Sequence, residues 1–102
     1  MSVAQIRYFV AVAEEGHVGR AARRLRLSQP PLTRQIRSLE DELGAPLFER
    51  TPRGMRLLPS GERFLPHARA VLRELDAASR CLVDAAQGAP APDGAGTRTA
   101  EP

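Results

Sequence analysis

The sequence predicts a mainly α-helical chain, and three observations carry that prediction. Between Ala21 and Gly44 two short helical stretches are joined by a tight turn, the second opening on Ser28-Gln29-Pro30-Pro31. After Gly44 the rhythm changes, and LFER, TPRG and MRLL read as two short strands around a turn in which Pro52 and Gly54 supply the turn chemistry. From Pro59 or Ser60 to Gln87 apolar residues return at helical spacing over roughly 28 residues. These elements make a winged helix-turn-helix, three helices plus a two-stranded β-wing, followed by a long C-terminal helix. The expected divisions are 1–58 for the winged domain, 59–87 for the long helix and 88–102 for a tail rich in Pro, Gly and Ala, expected to be disordered.

Ser2 and Gln5 are spaced as a capping box, and Val3, Ile6, Phe9, Val10 and Ala13 recur at helical intervals up to Gly16. That stretch is the first helix, a support facing the core. A second helix is expected from about Val18 to Leu25, with Ala21, Ala22 and Leu25 small or apolar enough for close packing.

The third helix starts at Ser28, whose hydroxyl is expected to accept from a first-turn amide. Prolines cost little in the first turn, where amides have no intrahelical partner. Leu32, Ile36, Leu39 and Leu43 form one apolar stripe, while Pro30, Arg34, Arg37 and Asp41 lie opposite. Near the N-terminus Gln29, Pro30, Pro31, Thr33 and Arg34 carry the chemistry of groove reading. Arginine is bidentate to guanine and glutamine to adenine, and Thr or Pro packs on a thymine methyl. The plainer alternative is a solvated helix face. In the hairpin, Arg50, Arg53 and Arg56 are placed to reach phosphates or the minor groove, or simply to keep the hairpin soluble.

In the long helix Leu65, Ala68, Leu72, Leu75, Ser79 and Leu82 alternate steps of three and four, the rhythm of a coiled-coil seam. A helix about 40 Å long has more seam than a small domain covers. A second copy is therefore the expected partner of Leu65, Ala68, Leu72, Leu75 and Leu82, with folding back onto the domain as the alternative.

Charge is unevenly placed. All 15 basic residues among the 102 are arginine, and residues 20–56 hold nine of them against four acids. Such a basic segment beside neutral or acidic ones suits a phosphate-binding surface. Cys81 stands alone, which excludes an intrachain disulfide and a cysteine zinc site and suggests an inert thiol. With two histidines and no clustered carboxylates, no nucleophile, general base, metal set or cofactor site is expected. The N-terminus has no signal-peptide pattern and no apolar run reaches about 20 residues, so a cytoplasmic location is expected.

The string GHVGRAARRLRLSQPPLTRQIRSLEDELGAPLFERTPRGMRLLPSGERFL, with IRYFVAVAEE before it, resembles the N-terminal domain of LysR-type transcriptional regulators over about residues 4–87. The resemblance implies a bacterial regulator, associated with the nucleoid, that dimerises through its long linker helix and sets recognition helices in successive major grooves of an imperfect inverted repeat. By matching motif positions, Gln29, Pro30, Pro31, Thr33 and Arg34 would face bases or nearby backbone, and Arg50 and Arg53 would serve the wing. The family usually has Ser where this chain has His17, often Thr at Gly19 and commonly a capping Thr at Leu58. A weaker cap on the second helix and a linker helix starting at Ser60 are the corresponding expectations.

The family's effector domain, which binds a small co-inducer, has no counterpart in these residues, so no small-molecule effector site is expected in this chain. A stand-alone protein and a fragment of a longer regulator both fit. Two functions follow: double-stranded DNA binding as a homodimer, with assembly beyond the dimer open, or mixed-dimer formation with full-length LysR-type regulators.

Overall fold

A computed structural model describes residues 1–86; the expected tail, 88–102, and the last residue of the expected long helix lie outside the described residues. Helix α1 spans Val3–Glu15, α2 Val18–Leu25 and α3 Gln29–Leu43. Strands β1 (Phe48–Thr51) and β2 (Gly54–Leu57) pair antiparallel, and α4 runs Pro59–Ala86. The winged helix-turn-helix expected from the sequence is the observed architecture.

Each boundary has a local cause. The Ser2 Oγ accepts from Gln5 N and the Gln5 Oε1 from Ser2 N, both at 3.1 Å, which completes the capping box. Gly16 and Gly44 end α1 and α3 in the left-handed conformation, at φ 67° and 75°. Ser28 does take the N-cap of α3, but its side chain makes no capping hydrogen bond. The second and third residues of that helix, whose amides a cap would reach, are Pro30 and Pro31, and proline has no N–H. The expected hydroxyl cap is thus removed by the prolines that help start the helix.

The other two helix starts are as local. The cap on α2 is made by His17, whose Nδ1 accepts from Arg20 N at 3.2 Å. Helix α4 begins at Pro59, one residue before Ser60, and Glu62 N bonds back to Leu58 O at 2.9 Å. Pro66 lies inside that helix.

The core is built from α1, α2 and α3, with Leu47 and Phe48 at the start of the wing and Ala68 of α4. Phe9, Val12, Ala21, Leu32, Leu39 and Leu47 are buried, with Ile6, Val10, Ile36 and Phe48 nearly so. The Phe9 ring stands 5.3 Å from that of Phe48 and 5.0 Å from that of Phe64, in tilted and edge-on arrangements that aromatic pairs favour. Gln5, the one buried polar residue of the described core, donates through Nε2 to Gln35 Oε1 at 3.1 Å and ties α1 to α3.

The first compact unit runs Met1–Leu72 and the second starts at Arg73. The first unit thus includes the first half of α4. Ala68 is buried in that unit's core, and Leu65 and Leu72 pack against the same cluster. The second unit's described part continues α4; there Leu75 and Leu82 are 37% and 72% exposed, Arg80 pairs with Asp76 one turn away, and Cys81 is exposed.

Candidate nucleic-acid interface

The first turns of α3 project the polar residues that the sequence singles out. Gln29, Pro30 and Arg34 are exposed, while Pro31 and Thr33 are half-buried between them and the core-facing Leu32. Since Leu32, Ile36 and Leu39 are fixed in the core, the opposite face of α3 is presented rigidly. Arg37 is also exposed, one turn beyond Arg34.

The wing is set beside this helix by polar contacts to backbone. Glu40 of α3 accepts through Oε2 from Leu47 N at 2.7 Å and from Phe48 N at 3.3 Å. Met55 N donates to Gly16 O at 3.1 Å, joining β2 to the turn between α1 and α2. Within the hairpin, Glu49 faces Arg56 across the ladder and the two side chains form an ion pair. Hydrogen bonding to Glu49 raises the Arg56 pKa above its ordinary value. Arg56, expected to serve the wing beside Arg50 and Arg53, is thus engaged by a carboxylate.

Two clefts mark where the wing meets the helices. Thr33, Arg37, Glu40, Arg50 and Met55 line one of about 150 Å³. His17, Gly19, Gln29, Arg50, Thr51 and Pro52 line the other, of about 170 Å³. Arg50 stands at both, so the structure brings together Gln29, Thr33, Arg37 and Arg50 from separate stretches of sequence. Arg34 and Arg53 line neither cleft; Arg53 is exposed in the two-residue turn between β1 and β2.

Ion pairing sorts the nine arginines of residues 20–56. Arg20 lies 3.8 Å from Glu15 Oε1, Arg24 bonds Glu14 at 2.8 Å and Glu15 at 3.3 Å, and Arg56 holds Glu49. Glu14 also receives Arg69 at 3.1 Å. The Arg24 hydrogen bond, opposed by desolvation and joined by that of Arg69, holds the Glu14 carboxyl below the ordinary carboxylate range. Among the described residues, Arg23, Arg26, Arg34, Arg37, Arg50 and Arg53 have no carboxylate partner, and all six are exposed.

Arg23 and Arg26 are additions to the residues picked from sequence. Arg26 sits in the helix-turn-helix turn with φ 59°, a left-handed backbone unusual for a residue other than glycine. Their signal in the sequence was the basic run RRLR itself, which does not tell which arginines the carboxylates of α1 will engage. The described residues contain no group of three or more His, Cys, Asp or Glu side chains able to hold a metal, and no described helix is long and apolar enough to cross a membrane.

Known proteins share this arrangement. Residues 3–62 match the family described as bacterial regulatory helix-turn-helix protein, lysR family. The chain is 60% identical over 72 residues to the HTH-type transcriptional regulator ClcR of Pseudomonas putida, covering 71% of this chain and 24% of that protein. With the regulator TfdT of Cupriavidus pinatubonensis the identity is 52% over 88 residues, covering 86% and 39%.

Among solved structures, the complex of the BenM DNA-binding domain with catB site 1 DNA superposes with a TM-score of 0.81 at 41% identity, covering 84% of this chain and 97% of that one. The CbnR DNA-binding domain in complex with DNA gives 0.79 at 44%, covering 84% and 99%. The chain spans about a quarter of ClcR's length and less than half of TfdT's. It belongs to the lysR family of bacterial regulatory helix-turn-helix proteins.

Proposed function

We propose that this chain binds double-stranded DNA sequence-specifically and regulates transcription, acting as a dimer on an inverted-repeat promoter site in the bacterial cytoplasm. The observation that carries the proposal is the set of six exposed arginines without carboxylate partners, spread over the helix-turn-helix and the wing. Free guanidinium groups are what a phosphate backbone neutralises, with release of its counterions. Arg34 and Gln29, at the N-terminal end of α3, have the donor geometry to read base edges in the major groove. Arg53 and Arg50 extend the contact through the wing. The BenM and CbnR structures, both complexes of DNA-binding domains with DNA, support the same reading. Leu75 and Leu82 are assigned to the dimer contact; Leu65, Ala68 and Leu72 support it by fixing the start of α4 on the domain. No catalytic role is assigned.

Genomic footprinting of the tagged chain, combined with light scattering of the free protein, tests the proposal. Protected sites with a shared inverted repeat and a dimeric mass are expected. Protection without sequence preference would overturn it.

A second reading has one observation in its favour. Identity with TfdT extends over 88 residues, longer than a 1–58 winged domain, so the exposed part of α4 has a counterpart in a longer relative. Through it the chain would form mixed dimers with full-length LysR-type regulators and block their function. Failure of the purified chain to capture such a relative while forming its own DNA-bound homodimer rules this out.

A further inference from the structure

Gly19 is the second residue of α2, is buried, and has an ordinary negative φ. Its backbone does not require glycine. Its surroundings are tight: a β-carbon there would stand 2.8 Å from His17 Cε1, 3.1 Å from His17 Nδ1 and 3.3 Å from Gln29 Nε2. All three atoms belong to side chains, and one side chain is a candidate base reader. The imidazole yields only by straining its cap, because its Nδ1 accepts from Arg20 N at 3.2 Å.

We propose that Gly19 is a specificity-determining position that touches no base itself: the space left by its missing side chain lets the capping imidazole of His17 and the amide of Gln29 share one cleft, and this fixes where Gln29 reaches. The inference rests on the DNA-binding function proposed above and adds a positioning layer behind it.

The physical case is a matter of which atoms must move. A side chain at position 19 meets the far end of Gln29, which has free torsions, and a ring tied by a hydrogen bond. The ring, the nearest group, must shift, and it shares one cleft with the Gln29 amide that lies 3.3 Å from the same β-carbon, so the amide does not keep its place. A glutamine reads adenine through two hydrogen bonds made together, and such bidentate contacts tolerate little displacement. The base pair preferred at that position therefore changes, while the Arg34 contact and the wing contacts from Arg50 and Arg53 are unaltered.

The test is selection of binding sites from a randomised duplex library by the full chain and by its G19A, Q29A and G19A/Q29A variants, with unfolding of each measured alongside. Wild type is expected to prefer one base at the position that Q29A relaxes. G19A is expected to lower that preference by about fivefold or more, the low end of what one bidentate base contact supplies, with other positions unchanged. In the Q29A background the Gly19 substitution is expected to change nothing further at that position.

A folded G19A variant selecting the wild-type site, or a G19A effect of equal size with and without Gln29, overturns the inference. A G19A variant that does not fold also overturns it, since the space would then be needed by the fold. Selection of no preferred sequence by the wild-type chain is a different failure, that of the DNA-binding function itself.

Discussion

A β-carbon on Gly54 would stand 2.3 Å from the carbonyl oxygen of Gly16, the oxygen that Met55 N bonds at 3.1 Å. The wing is thus seated on the turn between α1 and α2 by backbone lying against backbone, with no side chain between to give way. Gly54 also has φ 140°, which L side chains rarely adopt. Gly44 offers the control: its φ is 75°, and nothing lies within 4 Å of its would-be β-carbon. Gly44→Ala should cost about 1 kcal/mol, the left-handed penalty alone. Gly54→Ala should cost about 2 kcal/mol or more, strain and collision together. Denaturant unfolding of the two variants decides, and equal losses would refute the backbone seat.

Glu40 secures the other side of the wing. Its Oε2 accepts from the amides of Leu47 and Phe48, residues that are 2% and 7% exposed. Glu40→Leu leaves both donors without that acceptor, which should cost about 1–3 kcal/mol. Glu40→Gln keeps a carbonyl oxygen and should lose less. Amide exchange at Leu47 and Phe48 should quicken in the Leu variant before global unfolding does. Unchanged exchange there would mean that the contact holds nothing.

How much of this was legible beforehand depends on how local each cause is. The capping box of Ser2 and Gln5, the glycine stops and the two-residue hairpin turn are properties of adjacent residues, and all stand where the sequence places them. The idle Ser28 hydroxyl was legible too, since Pro30 and Pro31 have no N–H to offer. That His17 caps α2 through Nδ1 is less local, since the ring lies in the space beside Gly19. The partner of the seam is another matter: steps of three and four mark one face of α4 but not what covers it. Leu65, Ala68 and Leu72 are covered by the chain's own core, a fact of tertiary position that periodicity does not carry. The arginines behave likewise, since the carboxylates of Glu14 and Glu15 come from another helix.

Arg34 and Arg53 should separate base reading from backbone contact. Arg34→Ala should weaken binding to the specific site by about 1–3 kcal/mol, as for a lost bidentate base contact. Arg53→Ala should weaken binding to all sequences, or remove an A·T preference flanking the half-sites. Affinities on specific and random duplexes over a salt series measure both. Equal loss on both duplexes for Arg34→Ala would refute its reading role, and an unaltered footprint for Arg53→Ala would count against the wing.

Glu14 gives the fold an acid-sensitive joint between α1, α2 and the start of α4. The hydrogen bond from Arg24, and then that from Arg69, lowers its pKa in the folded chain. A carboxyl with a depressed folded pKa stabilises above its unfolded value, and that stability is lost as pH falls through the folded one. Thermal unfolding should therefore show a loss on acidification below about pH 4.3, the ordinary glutamate value. In Glu14→Gln that segment of the profile should flatten. The pair is partly exposed, so added salt should shrink the difference. An identical pH profile in the two proteins would show that the joint contributes nothing.

The divided seam of α4 predicts opposite consequences for two substitutions on one helix. Leu82 is 72% exposed whereas Ala68 is 1% exposed and in the core. Leu82→Arg places a charge on the face assigned to the dimer, so light scattering should report a monomer while the winged domain unfolds as in wild type. Ala68→Leu instead overfills a packed site, which should cost about 1–3 kcal/mol of domain stability and disturb dimerisation only as far as it disturbs the fold. Affinity for an inverted repeat should fall steeply in Leu82→Arg and much less for an isolated half-site, because the second recognition helix is no longer held to the first. A dimeric Leu82→Arg variant would move the dimer contact away from this part of α4.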